Sequence, residues 1–134
     1  MSKLSAFLHH SVTRLEKEVV ISDRFRDEEG KPVPFRIRSI TQEENEALSK
    51  RCRKTRRVNG QDQEHFDSAE FSRLMVVEGT LEPDFRAAEL CEAYGVMDPA
   101  MVPGRMLLAG EFDALLRAIS DLSGFTRVED EVKN

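Results

Sequence analysis

The apolar residues of this chain change their spacing several times, and each change marks an element. Leu4, Phe7, Leu8, Val12 and Leu15 fall close to one helical stripe, which predicts a short amphipathic N-terminal helix that docks on something larger. A helix of that length has little stability alone. From Val19 the period drops to two. Val19, Ile21 and Phe25 share one parity, and Val33, Phe35 and Ile37 alternate with Arg36 and Arg38, the pattern of two half-buried strands. Asp27-Glu28-Glu29-Gly30-Lys31-Pro32 between them is a run of turn formers, so the pair reads as a β-hairpin.

Helical spacing then takes over. Thr41-Gln42-Glu43-Glu44 is a capping box: the threonine hydroxyl can accept from the Glu44 amide while the Glu44 carboxylate reaches back to Thr41. Acidic Glu43, Glu44 and Glu46 at the start suit the helix dipole, as do Lys50, Arg51, Arg53, Lys54, Arg56 and Arg57 at the end. Asn59-Gly60 and the polar residues to His65 are expected to form a loop. Asp67 caps a helix carrying Phe71, Leu74, Met75 and Val77, which Gly79 would close. Another carries Ala87, Leu90, Cys91 and Tyr94 and stops at Gly95. Asp98-Pro99 starts one more, and Pro103-Gly104 should break it early. Phe112, Leu115, Leu116, Ile119 and Leu122 mark the last helix, which ends at Gly124. The sum is an α+β domain, mainly helical: an N-terminal helix, one hairpin, then a bundle of about four to five helices. It covers residues 1–125 as a single domain, with 126–134 as a polar tail.

Composition agrees with one such domain. At 134 residues, with 40% hydrophobic and 34% charged side chains, the chain can build a core without disulfide or metal. No apolar run approaches the length of a membrane span, and the N-terminus lacks the features of a secretory signal, so a cytoplasmic protein is expected. Cys52 and Cys91 are expected to be free and partly buried. The net charge of −5 is unevenly spread: 14 basic against 9 acidic side chains in residues 1–57, and 6 against 16 in residues 58–134. Such polarity favours charged partners or head-to-tail self-association without choosing between them.

Catalytic chemistry finds little support. His9, His10, His65, Cys52 and Cys91 show no ligand spacing, and neither cysteine is marked as activated. Glu28/Glu29 and Glu43/Glu44 stand in a turn and at a helix start, where acids are commonplace. No phosphate-binding glycine loop occurs, so neither an enzyme nor a bound cofactor is expected. Two features suit binding instead. One is the basic patch Lys50, Arg51, Arg53, Lys54, Arg56 and Arg57, which can be a solvated helix end, a contact for an acidic protein surface or a nucleic-acid site. The overall negative charge and the lack of interleaved aromatics disfavour nucleic acid. The other is a C-terminal set, Leu90, Tyr94, Met97, Met101, Met106 and Leu107, where adaptable methionines lie among Gly95, Pro103, Gly104 and Gly110. That set can be a partner-binding face, or the methionines can simply fill the core.

The run from Arg24 to Asn45, through Asp27-Glu28-Glu29-Gly30-Lys31-Pro32 and Thr41-Gln42-Glu43-Glu44, resembles the hairpin and first helix of XkdN-like phage tail assembly chaperones. Tyr94-Gly95-Val96-Met97-Asp98, and Met106 to Phe112 running on to Ser123-Gly124-Phe125, resemble that family's C-terminal signatures. The resemblance implies a protein of the infected or lysogenic bacterial cell that binds the tape measure protein and keeps it soluble while tail tube protein assembles around it. Such a protein would be absent from the mature particle. The alternative, from another class, is a small nucleic-acid-binding regulatory protein using residues 50–57.

Overall fold

The computed structural model describes residues 3–8 and 14–125. Of the expected N-terminal helix, Lys3–Phe7 forms a five-residue 3-10 turn with Leu4, Phe7 and Leu8 exposed, Val12 lies outside the described residues, and Leu15 is not helical but bonds to Ser39 just before the first strand.

The first hairpin has the expected antiparallel sense. β1 (Glu16–Val19) pairs with β2 (Phe35–Arg38), with Val19 opposite Phe35 and Glu16 opposite Arg38. Past Val19 the two segments meet again at a bridge between Arg26 and Pro32, where the Val33 amide donates to the Phe25 carbonyl at 2.7 Å and the Asp27 amide to the Lys31 carbonyl at 2.9 Å. There Asp27 Oδ1 accepts from the amides of Glu29 and Lys31, and Gly30 turns the chain at φ +81°. Phe35 and Ile37 point into the core, and the Phe25 ring lies 5.9 Å from that of Phe35.

Parity alone would leave Arg38 in solvent beside Arg36. Instead Arg38 is 4% exposed, because the chain after β2 folds acids over it. Its guanidinium donates to both carboxylate oxygens of Glu44 (3.1 and 2.9 Å), to Glu78 (2.7 Å) and to the Ser39 carbonyl (2.9 Å). A buried cation is tolerated only with that degree of pairing.

α1 (Gln42–Arg51) opens with the expected capping box: the Glu44 amide donates to Thr41 Oγ1 at 3.2 Å and the Thr41 amide to Glu44 Oε1 at 3.1 Å. It ends sooner than expected. Cys52 is its fully buried C-cap, and Arg53 to Arg57 belong not to a helix end but to a strand. β3 (Arg53–Val58) and β4 (Gln61–Phe66) form a second hairpin where a loop was expected. Asn59 (φ +52°) and Gly60 (φ +79°) make its two-residue turn, the left-handed pair that matches strand twist.

α2 (Ser68–Gly79) starts at Asp67, whose carboxylate accepts from the Glu70 amide at 3.0 Å, and buries Met75, Val76 and Val77. Gly79 is not a cap. It is the last helical residue, pressed against α5 (Ala109–Leu122), and the chain passes from it directly into β5 (Thr80–Glu82). β5 adds to β2, giving the sheet order β1-β2-β5. At three residues β5 is too short to show a period.

α3 (Ala88–Ala93) stops before Gly95 as expected. Asp98 accepts from the Ala100 amide over a 3-10 turn, Pro99–Met101, and α4 (Val102–Met106) follows. Pro103 does not break this segment. It occupies the first turn of α4, where its missing N–H has no helical acceptor to lose. The core joins Phe35 and Ile37 of the sheet to Leu48, Met75, Val76, Val102, Leu115 and Ile119 of the helices. The α+β class stands, with two small sheets in place of one hairpin.

Candidate partner-binding surface

The second hairpin is an arm. All of its residues are exposed except Val58, which is half-buried, so it contributes almost nothing to the core. Only its root is fixed. The Asp67 amide donates to the Cys52 carbonyl at 2.8 Å, the Phe66 ring lies 5.4 Å from that of Phe71, and Lys54 Nζ meets Glu70 at 3.0 Å. A two-stranded ribbon is marginal in water without such anchoring.

Beside the arm's root lies a shallow groove of about 340 Å³, lined by Asn45 of α1, Phe71, Ser72 and Met75 of α2, Leu116 and Ser120 of α5, and Phe125. Its apolar floor, with three small polar groups on the rim, is the usual composition of a surface that accepts an apolar segment. Sequence periodicity marked Phe71, Met75 and Leu116 as apolar positions but could not show that α1, α2 and α5 leave a gap between them.

The basic patch is divided. Lys50 and Arg51 end α1, whereas Arg53, Lys54, Arg56 and Arg57 alternate along β3 and point to opposite faces of the ribbon. The sequence carried one readable signal for this, an Asn-Gly pair between two six-residue stretches. It was masked because neither face of the ribbon is apolar.

The methionine set is divided too. Met97 is 99% exposed and Met101 45%, while Met106 and Leu107 are buried in the core. Leu90 and Tyr94 are partly buried and pack against that core. The stretch from Met106 to Glu111 is tied to the first hairpin. Arg24 donates to the Met106 carbonyl and to the Glu111 carboxylate, which also accepts from the Leu108 amide at 2.8 Å. Hydrogen bonds from Arg24, and after it Ser22, hold the Glu111 carboxyl at about 2, well below its usual 4.5.

Cys52 and Cys91 are free and buried, and burial pushes the Cys52 thiol upward, away from the reactive thiolate. Among the described residues no group of three or more His, Cys, Asp or Glu could hold a metal, and no helix is long and apolar enough to cross a membrane. The arm, the groove and the exposed methionines are surfaces open to a partner.

A family model described as phage XkdN-like tail assembly chaperone protein matches residues 4–134. The chain is similar to the phage-like element PBSX protein XkdN of Bacillus subtilis strain 168, with 34% identity over 138 residues, covering 98% of this chain and 93% of that one. It is 39% identical over 112 residues to the protein YqbN of the same organism, covering 82% of this chain and 75% of YqbN. The crystal structure of YqbN has the same fold, with a TM-score of 0.77 at 34% identity over 94% of this chain and 99% of that chain.

Proposed function

Because this chain belongs to the phage XkdN-like tail assembly chaperone family, we propose that it binds the tape measure protein and keeps it soluble while the tail tube assembles around it. The observation that carries this reading is the family match over residues 4–134. The chain acts in the bacterial host cell and is absent from the mature particle.

Several surface features support a holding role. The groove of Phe71, Met75, Leu116 and Phe125 offers apolar area at the junction of three elements. Met97 and Met101 stand exposed, and their unbranched side chains adapt to varied apolar contacts. Burying a few such groups, each worth about 1.5–3 kcal/mol, offsets the cost of association well enough for reversible binding. A holdase needs reversibility, since the tube must displace it.

The test is co-production with the tape measure protein of the same phage or prophage. The tape measure protein should move from the insoluble to the soluble fraction and co-purify with this chain. If it stays insoluble, or is soluble without the chain, the reading fails.

A further inference from the structure

The hairpin register sorts the charges of the arm. In an antiparallel pair, directly opposed residues share a face. Arg53 opposite Phe66, Thr55 opposite Glu64 and Arg57 opposite Asp62 therefore form one face. Lys54 opposite His65, Arg56 opposite Gln63 and Val58 opposite Gln61 form the other. The first face carries as many carboxylates as arginines: Asp62 lies across from Arg57, and Glu64 sits diagonally between Arg53 and Arg57. The second face contains no carboxylate.

Lys54 at its root is already paired with Glu70. Farther out, neither Arg56 nor His65 forms an ion pair among the described residues, and they are flanked by Gln61 and Gln63, whose amides donate hydrogen bonds. This arrangement is selective. The register puts both acids of the ribbon on the face of Arg53 and Arg57 and none on the face of Arg56.

We propose that this second face, Arg56 and His65 flanked by Gln61 and Gln63, is a docking site for a carboxylate-rich segment of a partner protein. Charge complementarity favours carboxylates as the ligand, because Arg binds them in a fork and the glutamine amides can complete the contact. Nucleic acid fits less well. Non-specific phosphate binding needs several uncompensated cations in a row, and on this face Lys54 is already paired with Glu70, which leaves Arg56 as its one unpaired arginine or lysine among the described residues. The site goes beyond the chaperone reading, since it fixes the chemistry of the bound segment and not the protein that carries it.

The experiment titrates the purified chain with a labelled glutamate-rich peptide and, separately, with a short DNA duplex, at low and at high salt. The peptide should bind, and salt should weaken the binding. Arg56→Glu should weaken it about tenfold or more, the loss of roughly one charge-assisted contact. Arg56→Lys, which keeps the charge but loses the fork, should fall between wild type and Arg56→Glu, and Arg57→Glu on the opposite face should change binding little. All three variants should melt with the wild type, because their side chains are exposed. Equal peptide binding by wild type and Arg56→Glu overturns the proposal, as does preferential binding of the duplex. Tape measure solubilisation by a wild-type chain that ignores the peptide sinks this site and leaves the chaperone reading standing. Peptide binding without solubilisation does the reverse.

Discussion

A Cβ placed on Gly79 would stand 2.6 Å from Cγ2 and 2.9 Å from Cδ1 of Ile119, so the end of α2 and the last turn of α5 meet across a gap that only glycine fits. Ile119 is fully buried and β-branched on a helix, which leaves it one comfortable rotamer and no direction of retreat.

Gly79→Ala should therefore destabilise the domain by about 1–3 kcal/mol, although alanine at a helical position normally gains up to about 1 kcal/mol over glycine. Combining it with Ile119→Ala should cost less than the sum of the two single changes, because the new methyl enters the space vacated by isoleucine. Denaturant unfolding of the four proteins checks this. Unchanged or raised stability of Gly79→Ala would show that the helices can separate freely.

Removing the buried cation should be costly. Arg38→Gln leaves Glu44 and Glu78 facing each other without their shared partner, and a loss of about 3–5 kcal/mol is expected from comparable broken buried pairs. A loss below about 1 kcal/mol, the range of exposed ion pairs, would mean that water reaches the site.

The same cluster sets a pH dependence. The hydrogen bond from Arg38, with help from Thr41, holds the Glu44 carboxyl at about 2 against an ordinary 4.5. A depressed carboxyl contributes stability that is complete above its unfolded value and is lost as pH falls. Wild type should therefore lose stability as pH drops from about 4.5 towards 2, and Glu44→Gln should be less stable at neutral pH but flatter across that window. Parallel curves for the two proteins would contradict the assignment.

The methionines divide by burial. Met97→Glu and Met101→Glu should fold like wild type, whereas Met106→Glu should lose several kcal/mol, since it puts a charge at a core position only 9% exposed. Circular dichroism and thermal melting separate the three. If Met97→Glu and Met101→Glu fold yet fail to keep the tape measure protein soluble, the exposed pair belongs to the binding face. If they still do so, binding lies on other surfaces, the groove among them.

Local sequence determined much of this protein because its signals were local. The capping box of Thr41 and Glu44, the Asp67 cap, the Asp27–Gly30 turn and the stripe of Leu115 and Ile119 each act within a few residues, and each formed where spacing placed it. The family signatures were legible for the same reason. Tertiary structure decided what depends on distant partners. Arg38 is buried because Glu44 and Glu78 converge on it from two helices, and strand parity carries no information about that. Gly79 looks like a helix stop in one dimension and proves to be a contact with a residue forty positions away. The arm escaped periodicity because a ribbon exposed on both faces has no apolar alternation to read, and its charges were sorted only when the Asn59-Gly60 turn fixed which residue faced which.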